Sequence, residues 1–222
     1  MRRGWWYENS LSIVLFGLFL VFLLGQSVAG YLTEREELRE HGGPAIGYAD
    51  YVSSGGFAEA TFENWESEFL QMAAYVFLTV FLRQKGSSES KKVEGEEKVD
   101  ADPRRERGRP DVPWPVRRGG WALKLYENSL GLAFLLLFFG SFVGHALGGA
   151  ADYNQEQRLH GREAIPIAAY VGTSRFWFES FQNWQSEFLA VGSIVVLSIF
   201  LRQRGSPESK PVAAPHAQTG SE

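Results

Sequence analysis

The sequence predicts an all-α integral membrane protein with four transmembrane helices, arranged as two parallel-oriented tandem helical hairpins about a pseudo-two-fold axis along the membrane normal. Three observations predict it: long uncharged apolar runs, a chain that repeats itself, and basic residues segregated from acidic loops.

The first span is read at about 10–31, where Leu11 to Ala29 is almost wholly apolar. A helix needs roughly 20 such residues to cross a hydrocarbon core of about 30 Å. A signal peptide ending near Ser27-Val28-Ala29 is the competing reading. It fails because the same unit recurs in mid-chain. The third span, at about 129–150, has the same character, with His145 near its end. Shorter runs from Phe69 to Leu82 and from Phe188 to Leu201 become spans at about 65–83 and 184–202 only by recruiting the polar turn before them. That extension carries Glu68 and Glu187 to the membrane boundary.

Sliding the chain by 119 residues aligns Tyr7–Lys91 with Tyr126–Lys210 without a gap, and about four in ten pairs are identical. Such a period fixes the unit of architecture. It gives a first hairpin over 1–85, a charged linker over 86–120, a second hairpin over 121–204 and a polar tail over 205–222. Linker and tail have almost nothing apolar to bury and are expected to lack fixed structure. Ahead of each second helix, aromatic residues at near-helical spacing, Phe57, Phe62 and Trp65 or Phe176, Phe181 and Trp184, predict helix starts at Gly55-Gly56 and Thr173-Ser174.

Loops 31–68 and 150–187 hold 5 of the 22 Lys and Arg residues but 14 of the 26 Asp and Glu residues. Basic residues mark the cytoplasmic side. Both termini and the linker are therefore expected in the cytoplasm of a cell whose inner membrane holds the chain, with the acidic loops outside. Glu8 with Arg83, and Glu127 with Arg202, fall at matching boundary places and read as solvated flanks.

Gly140, Gly144 and Gly148, four apart, with Gly25 at the equivalent of Gly144, predict a small-residue contact between the first and third spans. Gln26 and His145 near the outer ends of those spans, with Glu68 and Glu187 near the outer starts of the others, form a candidate polar cluster. Ionisable groups at membrane depth are costly and seek partners. The competing reading is that both glutamates mark the water boundary.

The repeated run Tyr-Glu-Asn-Ser-Leu (Tyr7–Leu11, Tyr126–Leu130), the His-Gly pairs His41-Gly42 and His160-Gly161, the Trp-x-Ser-Glu-Phe-Leu runs from Trp65 and Trp184, and the Phe-Leu-Arg-Gln exits from Phe81 and Phe200 carry a resemblance. Each unit resembles a bacterial membrane-protein family of unknown function, whose members look like single hairpin units of this length. The resemblance implies no reaction, ligand or partner. The fusion of two units departs from it, as does the exchange of Gln26 for His145.

No phosphate-binding loop, nucleophile elbow or zinc-type Cys/His spacing is present, and there is no cysteine. No catalytic residue, cofactor or metal ligand is predicted, and the chain is not expected to be an enzyme. His41 and His160 read as exposed turn residues in preference to metal ligands. Expected partners are the lipid bilayer, a second copy of the chain or other membrane proteins, and no nucleic acid. A structural or interaction module is the first functional reading; a small transporter or channel component, with its path at the repeat interface, is the alternative.

Overall fold

A computed structural model describes residues 4–220. Arg2 and Arg3, part of the predicted topology signal, lie outside the described residues. Among the described residues the chain is helical, in the order α1 (Trp5–Glu8), α2 (Ser10–Glu40), α3 (Tyr48–Val52), α4 (Gly55–Phe81), α5 (Trp114–Arg118), α6 (Gly120–Glu127), α7 (Ser129–Leu159), α8 (Ile167–Val171) and α9 (Ser174–Phe200). The bounds of α7, α8 and α9 fall 119 residues after those of α2, α3 and α4. Both second helices begin where the aromatic spacing places them.

Among the described residues three helices, where the sequence predicts four, are long and apolar enough to cross a membrane: Ser10–Glu40, Ser129–Leu159 and Ser174–Phe200. The span expected at about 65–83 lies in α4. There Glu66, Glu68 and Gln71 occupy places that α9 fills with Gln185, Glu187 and Ala190. A carboxylate in place of an amide at position 66, and Gln71 and Tyr75 in place of Ala190 and Ile194, leave this stretch of α4 less apolar than its counterpart. A second difference lies in the loops, because α2 and α7 each run 31 residues. That is roughly 46 Å at helical rise, so ten or so polar residues expected in a loop continue the helix beyond the hydrocarbon.

The chain divides into two compact units, Met1–Phe62 with Val143–Phe176 and Glu63–Phe142 with Trp177–Glu222. Each draws on both sequence repeats.

In the first unit, each short helix turns back on the long helix before it. Tyr51 packs on Gly30, and Tyr170 packs on Gly149, so closely that a Cβ at either glycine would enter the phenol ring. Tyr170 is fully buried and Tyr51 nearly so. The same unit contains a direct helix–helix contact. Gly144 faces the Phe62 ring, Gly148 faces the backbone of Ala58 and Glu59, and Gly55 faces the Gly148 carbonyl. Close backbone approach of this kind drives association where burial from water cannot. Its partner is α4 and not α2: a Cβ at Gly25 or Gly140 would meet open space.

In the second unit, polar groups do the holding. The ends of α4 and α9 are capped by their own arginines: Arg83 donates to the carbonyls of Val80 and Leu82, and Arg202 to those of Ser198, Ile199 and Leu201. Cationic side chains satisfy the orphan carbonyls of a helix end in this way. The linker, expected to lack fixed structure, carries short 3-10 turns at Lys98–Asp100 and Pro103–Glu106 as well as α5. Hydroxyls and backbone groups supply what apolar side chains do not. Ser87 and Ser198 share a hydrogen bond of 2.9 Å, Gly86 N–H donates to Thr219 Oγ1, and Gly220 N–H donates to the Ser87 carbonyl. Lys210 is buried, and its ammonium donates to the carbonyls of Gly86, Gln218 (2.9 Å) and His216 (3.0 Å). Desolvation, and then the Arg202 charge, hold that ammonium below its ordinary pKa.

Candidate functional site

The strongest concentration of chemistry in the first unit lies where α2 and α7 end. Both helices stop on the same device. Gly42 and Gly161 take the left-handed conformation, φ 67° and 68°. The next N–H reaches back five residues, Gly43 to Leu38 (2.7 Å) and Arg162 to Gln157 (2.8 Å). This is the Schellman ending, which needs a residue without a Cβ just past the cap. It makes His41 and His160 the cap residues. Each ring turns back on its own helix, with Nδ1 bonded to the carbonyl of Glu37 (2.8 Å) or Glu156 (2.9 Å).

The two endings are neighbours. Gln155 donates to Glu34 at 2.9 Å, and the centres of the two histidine rings are 6.4 Å apart. Between them lies a cavity of about 500 Å³, lined by Glu34, Glu37, Asp152 and Glu156, both histidines, Gln155, Arg175 and two leucines.

Arg175, in the first turn of α9, closes one side. Its guanidinium binds Asp152 at 2.9 Å and Glu156 at 2.6 Å, carboxylates one turn apart on α7, and lies 3.6 Å from Glu59 on α4. Glu59 is nearly buried and accepts a hydrogen bond of 3.0 Å from the Tyr170 hydroxyl. One arginine thus ties together the starts of α4 and α9 and the end of α7. A buried carboxylate is tolerated only with such partners.

The predicted polar cluster is divided between the units, with Gln26 and His145 in the first and Glu68 and Glu187 in the second. Gln26 is half-buried on α2 and Glu68 is exposed. His145 is fully buried, stacks on Phe176 with ring centres 4.5 Å apart, and has a ring nitrogen within 4.8 Å of a Glu59 carboxylate oxygen. In the second unit the buried carboxylate is Glu66. It accepts from Trp184 Nε1 at 3.0 Å and from Ser180 at 3.2 Å.

Sequence reasoning passed over Glu59, Glu66, Asp152 and Arg175. A signal for them existed, because all four are places where the copies differ, their counterparts being Phe178, Gln185, Thr33 and Gly56.

Among the described residues the chain is all-helical, with three helices apolar enough to cross a membrane and a polar cavity where two of them end. More particularly, the chain belongs to the family described as Domain of unknown function (DUF6766), which it matches over residues 2–221. The match runs across both of the segments that align at a shift of 119 residues. Neither the curated proteins nor the solved structures gave a match.

Proposed function

We propose that the chain is a non-enzymatic structural or interaction module of the inner membrane, with the two hairpins side by side and in parallel and both termini in the cytoplasm. The observation that carries the interaction role is the open apolar surface of α2. Leu11, Val14, Leu15, Phe16 and the run Leu18–Phe22 are exposed, and a Cβ at Gly17 or Gly25 would meet nothing. Lipid covers such a surface, and its small residues admit a second helix from another copy or another membrane protein.

The orientation rests on the charge asymmetry, and it requires α4 to cross as well. Its polar content argues against crossing alone. Crossing beside α9 is supported by Glu66, whose carboxylate faces Ser180 and Trp184 and not solvent. Because the chain has no cysteine, single cysteines report cleanly. Ser53→Cys and Ser174→Cys are expected to react with an impermeant reagent added to intact cells, and Ala101→Cys is not. Labelling at position 101 alone reverses the orientation. Gly25→Cys tests the interaction role: in native membranes it is expected to form disulfide-linked dimers, and its absence from any cross-linked species removes α2 as the interaction face.

A transporter or channel component is the second reading, favoured by the polar cavity beside the Arg175 network. Vesicles containing the purified protein would then show ion flux that Arg175→Gln changes.

A further inference from the structure

The chemistry between His41 and His160 exceeds what a helix ending needs. We propose that the cavity there is a binding site for a divalent metal ion of the zinc class, shared by the two repeats. The inference does not depend on the interaction role.

Each histidine donates its Nδ1 proton to a backbone carbonyl, which in the neutral ring leaves Nε2 with the lone pair. Fixing one nitrogen on a carbonyl so that the other can ligate is the usual outer-shell arrangement of a metal-binding histidine. Both rings are anchored alike although they come from different repeats.

Spacing comes near that of a shared ion. Zinc binds imidazole nitrogen at about 2.0–2.1 Å, which puts each ring centre roughly 3.2 Å from the metal and two ring centres about 5–6 Å apart. The observed 6.4 Å is just outside that range. Both rings are exposed, so a small side-chain rotation closes the difference.

Oxygen donors line the same cavity and would turn inward to complete the shell of an ion. Glu37 and Glu156 each stand one turn before the histidine of their own helix, on the same face, and both line the cavity. Glu156 gives Oε2 to Arg175, which leaves its other oxygen available. Two imidazoles with two carboxylates suit zinc and its neighbours, whereas calcium and magnesium take oxygen alone. Glu34 and Asp152 add negative charge around the site, and Arg175, the cation on the wall, is already engaged by Asp152, Glu156 and Glu59.

The test uses the full chain in detergent, purified without a polyhistidine tag, and titrates zinc against a chromophoric chelator. One ion per chain is expected. His41→Ala and His160→Ala should each weaken binding at least about ten-fold, a loss comparable to removing one supporting group of a metal site. The double variant should abolish binding while the metal-free helical signal is kept and the melting midpoint falls only slightly, through the two lost cap hydrogen bonds. Binding should weaken in acid, because a metal-ligating imidazole must be deprotonated, and excess calcium should not compete. Absence of binding, equal binding by the double variant, or displacement by calcium would each overturn the proposal.

Discussion

The two repeats share about four residues in ten, and shared and unshared positions do different things. Positions identical in both copies build the frame. Gly30 with Tyr51 and Gly149 with Tyr170 dock the short helices, Gly42 and Gly161 end the long ones, and Arg83 and Arg202 cap the exits. Positions that differ supply three charges of the polar network around Arg175. Glu59 comes from the first copy, Asp152 and Arg175 come from the second, and their counterparts Phe178, Thr33 and Gly56 have no such role. Side chains common to both segments of the sequence hold the helices, and side chains found in one segment alone carry Glu59, Asp152 and Arg175.

Substitutions at equivalent positions can break this comparison. The largest difference is expected at Gly148, which faces the backbone of Ala58 and Glu59, while its counterpart Ala29 is exposed. Gly148→Leu has no flexible neighbour to displace and should cost more than the usual overpacking penalty of about 1–3 kcal/mol, reducing folded protein in size-exclusion profiles. Ala29→Leu should leave the profile unchanged. Equal losses would mean that the helix contact is not specific to one copy.

Next comes Arg175→Gln, which leaves Glu59, Asp152 and Glu156 without their guanidinium. Because the arginine is about a third exposed, the cost should stay near 1–3 kcal/mol, the range for stranding a polar partner, read as a lower melting midpoint in detergent. Gly56→Gln, at the counterpart, should disturb the same network from the other side, because a Cβ there would meet Asp152 Oδ1.

The smallest and most even effects belong to the shared caps. Arg83→Gln and Arg202→Gln should each cost about 0.3–1 kcal/mol, the worth of a cation at a helix C-terminus, with Arg202 the larger because it also donates to the Ala214 carbonyl. A large effect at one and none at the other would place that arginine outside the frame.

Much of the frame is legible in the sequence, for physical reasons. The His-Gly pairs mark helix ends because only a residue without a Cβ tolerates the turn, and the aromatic spacing marks the starts of α4 and α9. The length of α2 beyond the membrane is not legible from hydropathy. Thr33 to Glu40 is polar enough for a loop, and yet its Glu, Leu and Arg residues favour helix over coil once the preceding helix exists. The glycine face of α7 is legible as a contact surface, but its partner is not, because small residues specify close approach without naming what approaches. The buried carboxylates are the least legible. A glutamate that meets arginine and tyrosine in the folded chain looks, in a polar stretch, like surface charge.

The docking of Tyr51 on Gly30 and of Tyr170 on Gly149 bears on how the chain responds to proteolysis. Each connecting segment leaves its long helix at a glycine turn and is fastened again by its tyrosine, so the exposed stretches 42–47 and 161–166 are handles closed at both ends. A protease that nicks such a handle cuts one connection and leaves the packed one in place. The fragments should remain associated until the membrane is dissolved in a denaturing detergent, so that a protein cleaved on a gel is still an intact protein in the bilayer.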